Sequence, residues 1–388
     1  MKCIRIGFGK IAQIHEEHLK KHGVQTIGVV EIDPKRIQAI EQAGFRAFTS
    51  IDEAVKCQPN FYDICTPASA RAEMLSALCA LDPYANILIE KPICDFKDVA
   101  HVNQILTAHK GRITINENYA SSNVTPAVQD ELTKRCITPK RLIIESTKNR
   151  VPDFMAGRFI DTHLGALGYE CSHVLALVGE MGEGYALDFL IESDIDSIEN
   201  ITNTSDNQNI MPMINQNGVF LRYQAKNGCT VDLYSSMTGA LGFPCPPYAQ
   251  YGQNLKLDDE QTRYRILRVD GVDALGIPYQ IVGFFEPIHG LKRSLGMLIV
   301  FKNWVLEYKS LPFDDNTMSQ HLLRTLQYFK GGNINPYNFE RALNDVVNLN
   351  NWAQTCWHAM EDSNDVLGCE ETSKARLEDS KRFSLKAQ

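Results

Sequence analysis

The feature that most constrains this chain is a glycine turn set between a strand pattern and a helix pattern at its start. Gly7-Phe8-Gly9-Lys10-Ile11-Ala12 follows an apolar run that begins at Cys3. Ile11, Ile14, His15, His18 and Leu19 then recur at helical spacing. The first glycine permits a tight turn, and the second lets the backbone from Gly7 to Ile11 come close to a pyrophosphate. Ala12 is small enough for helix and strand to pack closely. The N-terminus of the helix adds partial positive charge at the phosphates. Taken alone, Gly-x-Gly-x-x-Ala is a weak signal, and a merely structural turn is the alternative. Here the turn is followed by a second apolar strand, Thr26 to Glu31, whose last residue lies 22 positions beyond Gly9. A carboxylate at that place binds the ribose hydroxyls of a dinucleotide. It also repels a 2′-phosphate, which favours NAD, although Lys35 and Arg36 close by leave NADP open.

Strands and helices keep alternating beyond this point. Asp33-Pro34 opens a helix, with Asp33 as N-cap and Pro34 at the first helical position. Phe61 to Thr66 is a strand stopped by Pro67, Ala85 to Glu90 one stopped before Pro92, and Arg112 to Asn118 another. Helical patterns at Ser69 to Leu81 and Asp95 to His109 separate them. Near-continuous apolar strands alternating with helices predict a parallel sheet covered on both faces. From about residue 141 to 310 the period changes to strands: Arg141–Thr147, Val219–Ala225, Thr230–Ser235, Tyr264–Val269, Gln280–Phe285 and Met297–Tyr308. The expected fold class is α/β, with a Rossmann NAD(P)-binding domain at 1–120. A second α/β domain at 121–388 carries a largely antiparallel sheet, substrate binding and oligomer contacts. It ends in helices from Arg324 to Met360 and a charged tail from Glu361.

Composition narrows the function classes. Lys plus Arg number 39 against 47 for Asp plus Glu, a net charge of −8, which argues against a nucleic-acid binder that works by neutralising phosphates. No apolar run reaches the ~20 residues of a membrane span. The first residues enter a strand pattern without a signal-peptide core, so a soluble cytoplasmic protein without membrane partners is expected. The 11 cysteines are scattered with no Cys-x-x-Cys pair, which reads as reduced thiols. His15-Glu16-Glu17-His18 does not meet the His-Glu-x-x-His pattern of a metalloprotease helix. These histidines are read as lying on the helix surface, and no metal is expected.

Together these residues resemble the glucose–fructose oxidoreductase / inositol dehydrogenase (Gfo/Idh/MocA) family. The resemblance is carried by the Gly7–Ala12 turn with His18 and Leu19, and by Val29-Val30-Glu31-Ile32-Asp33-Pro34. Asp63-Ile64-Cys65-Thr66-Pro67, Glu90-Lys91-Pro92 and Asn118-Tyr119 add to it, as does Phe329 to Pro336 followed by Glu340 to Leu343. It covers the first 120 residues well and the middle only at scattered positions. It implies an NAD(P)-dependent oxidoreductase moving a hydride between nicotinamide and a hydroxyl or keto carbon of a sugar, sugar derivative or cyclitol. The cofactor would lie against Gly7, Phe8, Gly9, Lys10, Ile11, Glu31, Cys65, Thr66, Pro67, Glu90, Lys91 and Asn118. The family also implies a homodimer or homotetramer.

For catalysis, the resemblance assigns Lys91 to the hydroxyl being oxidised. An ammonium at a strand's carboxyl end can stabilise developing alkoxide charge, and an ordinary solvated Glu-Lys pair is the alternative. The family usually carries Asp-x-x-x-His on a helix that begins the second domain. Here His173 matches the histidine, Tyr169 stands where Asp is usual, and Glu170 lies one step off that face. Residues i and i+4 share a helix side, so Tyr169 and His173 can meet, with either moving the proton; a structural histidine is the alternative. Tyr119, Arg158 and Asp161 complete the expected substrate contacts, and Lys148-Asn149-Arg150 lies nearby in sequence. The altered Tyr169 keeps a non-catalytic NAD-binding regulator in view. An NAD-dependent glycosidase acting by oxidation and elimination is the other alternative.

Overall fold

The computed structural model describes residues 1–150, 153, 165–185, 195–200, 218–245, 263–286 and 294–362. The chain forms two units: Met1–Ser121 with Thr317–Val347, and Ser122–Asn316 with the chain from Asn348.

The first unit is built on β1 (Lys2–Ile6), β2 (Gln25–Val30), β3 (Ala47–Phe48), β4 (Phe61–Ile64), β5 (Ile87–Glu90) and β6 (Ile113–Asn116). Helices α1 (Lys10–Lys21), α2 (Pro34–Gln42), α3 (Ile51–Val55), α4 (Ala68–Leu81) and α5 (Val99–Ala108) connect them. The strands pair in parallel in the order β3-β2-β1-β4-β5-β6. Every residue of β4, β5 and β6 is buried, because helices cover both faces. The connections reverse direction between β1 and β4, which makes the carboxyl ends of those strands the ligand edge of such a sheet. Asp33 caps α2 as expected, accepting from the Lys35 N–H at 2.9 Å, with Pro34 first in the helix. The two-residue β3 is too short to leave a period. It shows instead in packing, since the Phe48 ring fills the space a side chain at Gly28 would need.

The helix Thr317–Phe329 belongs to this unit, although the sequence reading put all of 121–388 in the second domain and began the helix at Arg324. Its Leu322, Leu326 and Phe329 pack with Cys3, Leu19, Phe61 and Leu88. It is fixed by polar bonds as well. His321 Nδ1 meets the Ser121 hydroxyl at 2.9 Å, and its Nε2 donates to the Ile115 carbonyl at 2.8 Å. Burial pushes the His321 pKa down to about 4, so the ring is neutral.

The second unit carries a nine-stranded sheet. Its strands are β7 (Thr138–Lys148), β8 (Ile195–Asn200), β9 (Gly218–Gln224), β10 (Thr230–Ser236), β11 (Arg263–Val272), β12 (Pro278–Phe285), β13 (Leu295–Lys302), β14 (Val305–Lys309) and β15 (Phe313–Asp314). They run in the order β14-β13-β12-β11-β7-β10-β9-β8, with β15 on β13, and among the described residues β7 with β10 is the one parallel pair. The stretch read as a single strand from Met297 to Tyr308 is a hairpin. Asn303 and Trp304 turn it with φ of 48° and 67°, the left-handed geometry that two-residue hairpins require. Helix α6 (Val124–Lys134) lies close against β12 and β13, where a side chain at Gly283 or Gly296 would strike Val124 or Val128. β8 was not anticipated. No helix among the described residues is long and apolar enough to cross a membrane, and every cysteine with a described side chain is free.

Candidate functional site

The glycine turn stands where β1 meets α1. Gly7 has φ +86°, and a Cβ there would lie 3.2 Å from both the Thr66 backbone nitrogen and its methyl carbon. Gly7 N–H donates to the Val30 carbonyl at 2.8 Å, locking the turn to the end of β2. At Gly9 nothing lies within 4 Å of a built Cβ, and no side chain caps α1, so the helix N-terminus faces open space. Ala12 is fully buried, as close helix packing needs. The Thr66 hydroxyl is buried without a partner among the described residues.

Glu31 is held at this turn by backbone donors. One carboxylate oxygen accepts from the Phe8 N–H at 3.2 Å, and the other from Ile32 and Asp33 N–H at 2.9 and 3.2 Å. The Arg36 guanidinium lies 3.6 Å away but is 56 % exposed, a weak pairing. Next to it Ile32 is 82 % exposed, an apolar side chain left uncovered beside the carboxylate.

Beneath the turn lies a buried ionic cluster that the sequence reading missed. Arg5 on β1 sits opposite Asp63 on β4, and Glu90 on β5 opposite Asn116 on β6. Arg5 donates to Asp63 at 3.0 Å and to Glu16 at 2.6 Å. His15 was expected on the helix surface; it is instead fully buried. It shares a helix face with Leu19, one turn on, and that face packs into the sheet. Its Nδ1 lies 3.0 Å from Asp63 and its Nε2 2.8 Å from Glu90. Asn116 Nδ2 is 2.8 Å from the same ring nitrogen and donates to the same Glu90 oxygen.

Carboxylate oxygens lie within 3.0 Å of both ring nitrogens, so His15 is assigned as an imidazolium from these ion-pair partners. Burial pulls its pKa down, but Asp63 overrides this and holds it well above the ordinary value. Burial likewise pushes Asp63 up, and His15 and Arg5 bring it below the usual carboxylate range. Glu90 is lowered by His15 and Asn116 against the same opposing effect of burial. Cys65 is pushed up to about 12 by burial, so it stays a thiol. His15, Asp63 and Cys65 bring ligand-type atoms within 4.8 Å of one another. An imidazolium has no lone pair for a metal, and Arg5 already occupies Asp63.

The expected cofactor residues Cys65 and Glu90 therefore turn their side chains into this cluster: the Cys65 thiol lies 3.4 Å from Asp63. Glu90 also accepts from the Lys91 N–H at 3.2 Å. Arg71, 5 % exposed, donates from Nε to the Thr66 carbonyl at 2.9 Å and from Nη1 to the Glu90 and Pro92 carbonyls. It thereby ties the end of β4 to the Lys91–Pro92 segment, whose peptide bond is cis. Lys91 stands half-buried at the carboxyl end of β5. Asn118 bonds Thr317 at 2.6 Å, and Tyr119 is buried.

In the second unit, His173 opens the helix Ser172–Met181 and is partly exposed. The turn before it, Leu167–Cys171, is a π-helix. The i, i+4 relation expected between Tyr169 and His173 presumes α geometry, and a π turn does not keep it. The Tyr169 side chain, and Arg158 and Asp161 altogether, lie outside the described residues. The carboxylate that matters locally is Glu170. It is fully buried and accepts from Arg150, from Arg265 and, at 3.2 Å, from the Ser146 hydroxyl. Burial raises its pKa, but Arg150 and then His173 hold it below the usual value. Lys148 and Arg150 share Asp153 at 2.7 and 2.9 Å. Burial and the Arg150 charge bring the Lys148 pKa down to about 8. An acid inside the apolar run from Ala166 to Val178 was the available signal for Glu170.

Residues 1–117 match the Gfo/Idh/MocA oxidoreductase family, NAD-binding Rossmann fold. Comparison with curated protein sequences gives no match. Among solved structures, myo-inositol 2-dehydrogenase from Lactobacillus plantarum superposes with a TM-score of 0.64 at 12 % identity, over 92 % of this chain and 98 % of that one. UDP-N-acetylglucosamine 3-dehydrogenase from Acidithiobacillus ferrooxidans gives 0.63 at 13 %, over 92 % and 97 %. GenD2 from gentamicin A biosynthesis, solved in complex with NAD, gives 0.59 at 14 %, over 94 % and 95 %. At these identities the likeness is one of fold. In its residues 1–117 the chain carries the NAD-binding Rossmann domain of the Gfo/Idh/MocA oxidoreductase family.

Proposed function

We propose that the protein is an NAD(P)-dependent dehydrogenase or reductase that exchanges a hydride with a hydroxyl- or keto-bearing carbon of a sugar, sugar derivative or cyclitol, with NAD preferred. The observation that carries this reading is the position of Lys91 at the carboxyl end of β5, in a sheet whose Gly7–Ala12 turn fits a dinucleotide. The Gly7 to Ile11 backbone would hold the pyrophosphate, Glu31 the ribose hydroxyls and Ile32 the adenine. The partnerless Thr66 hydroxyl, with Pro67 after it, would complete the contacts. When bound, the nicotinamide supplies the hydride acceptor or donor.

The remaining chemistry falls to the chain's own groups. The Lys91 ammonium donates to the substrate oxygen and stabilises the charge that grows there during oxidation. His173 takes the proton as general base, and Tyr169 is the alternative relay. Tyr119, Arg158 and Asp161 are assigned to substrate hydroxyls. A polyhydroxylated substrate is supported by two of the three named structural neighbours, whose names specify myo-inositol and a nucleotide sugar. The homodimer or homotetramer is supported by β14 at the end of its sheet, where Val305, Leu306 and Tyr308 are exposed.

The test is turnover of cyclitols, free sugars and nucleotide sugars with NAD by the wild type and Lys91→Met. Removing one donor to a developing oxyanion costs about 100- to 1000-fold in kcat, with NADH affinity retained. A substrate turned over equally well by both proteins would overturn the assignment of Lys91.

A further inference from the structure

The position of His15 is not explained by packing alone. A fully buried imidazolium between two carboxylates, Asp63 and Glu90, lies directly behind the strand end that presents Lys91. We propose that His15 is a positioning residue for the Glu90–Lys91 segment: by bridging Asp63 to Glu90 it keeps the Glu90 carboxylate charged and fixed on the Lys91 backbone N–H. The inference rests on the function proposed for Lys91.

The argument follows the bonds. One Glu90 oxygen lies 2.8 Å from His15 Nε2 and takes the Asn116 amide, and the other takes the Lys91 N–H. Arg71 holds the carbonyls on either side of Lys91. A carboxylate that lost its charge here would keep at most part of this set, because its protonated oxygen becomes a donor facing donors. The other charged or titratable groups around the bridge do not replace His15. Arg5 is engaged with Asp63 and Glu16, Cys65 stays a thiol, and His321 is neutral. Arg71, whose guanidinium meets the Glu90 carbonyl, also favours the charged carboxylate, with a smaller effect than His15. His15 thus has the larger effect of the two positive charges that balance Glu90. A glutamine at 15 keeps a donor of similar reach and removes the charge, which isolates the electrostatic role from the steric one.

The experiment uses the protein without nucleotide first. In wild type, nitrogen NMR of labelled histidine reads whether His15 holds both ring protons at pH 8, and carbon NMR of labelled glutamate follows the Glu90 titration. In His15→Gln, confirmed folded by its melting transition, the Glu90 midpoint is expected to rise by about one unit or more. The acid limb of kcat/KM should rise with it, while NADH affinity stays within threefold. A neutral His15 ring at pH 7 in wild type, or an unmoved Glu90 midpoint in His15→Gln, overturns the proposal. If His15→Gln does not fold, the wild-type spectra alone decide. Absence of any turnover by wild type would instead count against the function proposed for Lys91, leaving the His15 result readable on its own.

Discussion

Asp63→Asn is the substitution whose cost the structure specifies most directly. Asp63 is fully buried and carries two charged partners, Arg5 at 3.0 Å and His15 at 3.0 Å, both also fully buried. An amide at 63 can still accept one hydrogen bond but neutralises neither cation. Removing one member of a buried ion pair costs about 3–5 kcal/mol, because the other charge stays buried without compensation. For a unit of this size each kcal/mol moves the melting temperature by about 2–4 °C, so the expected drop is roughly 6–20 °C.

The pH dependence follows from the two shifts. The Asp63 pKa is depressed, so its contribution is present above the unfolded carboxylate value and is lost as pH falls through the native one. The His15 pKa is raised, so its contribution is complete below the unfolded imidazole value and is lost as pH rises through the native one. The penalty is therefore greatest between about pH 4 and 6.5 and shrinks on both sides. Urea or thermal unfolding of wild type and variant across pH 4 to 9 measures it. A loss below about 1 kcal/mol at pH 5.5, no larger than a pair with one exposed partner such as Glu31–Arg36 provides, would refute the reasoning.

Two further outcomes follow from single residues. Gly7→Ala places a side chain at φ +86° and 3.2 Å from Thr66, so NADH affinity should fall at least tenfold in a fluorescence titration while the first unit still folds; unchanged affinity would show that the turn does not meet the nucleotide. Asp315 is pushed up to about 6 by burial, although it accepts from the Asn123 N–H and the Ser122 hydroxyl. Its raised pKa makes wild-type stability fall as pH climbs from about 4 to 6. Asp315→Asn should lack that slope and gain on wild type over the interval, as melting curves at pH 4.5 and 7 would show.

The first unit was legible because its strands are buried on both faces and bounded by Pro67, Pro92 and the glycine turn, each of which leaves a local mark. The reach of the helix Thr317–Phe329 back to the first sheet was not, since its apolar face is satisfied equally by either unit until Leu322 and Phe329 meet Phe61. His15 shows the same limit within a site. Its spacing with Leu19 fits the buried face, but the His15-Glu16-Glu17-His18 run of polar residues reads as helix surface. That its partners are Asp63 and Glu90 depends on β4 and β5 lying side by side, a pairing set by the order of the whole sheet. Glu170 was seen one step off the helix face. The π turn and the arginines of β11, far along the chain, decide its role, and no local period encodes them.

Nucleotide binding tests the central claim most directly. Purified protein is denatured to release any nucleotide already held, which is identified by mass, and fresh protein is titrated with NADH and NADPH by fluorescence. The account predicts NADH bound at least about tenfold more tightly than NADPH, because a 2′-phosphate would meet the Glu31 carboxylate already fixed by three backbone donors. Binding of neither nucleotide, with none released, would contradict it.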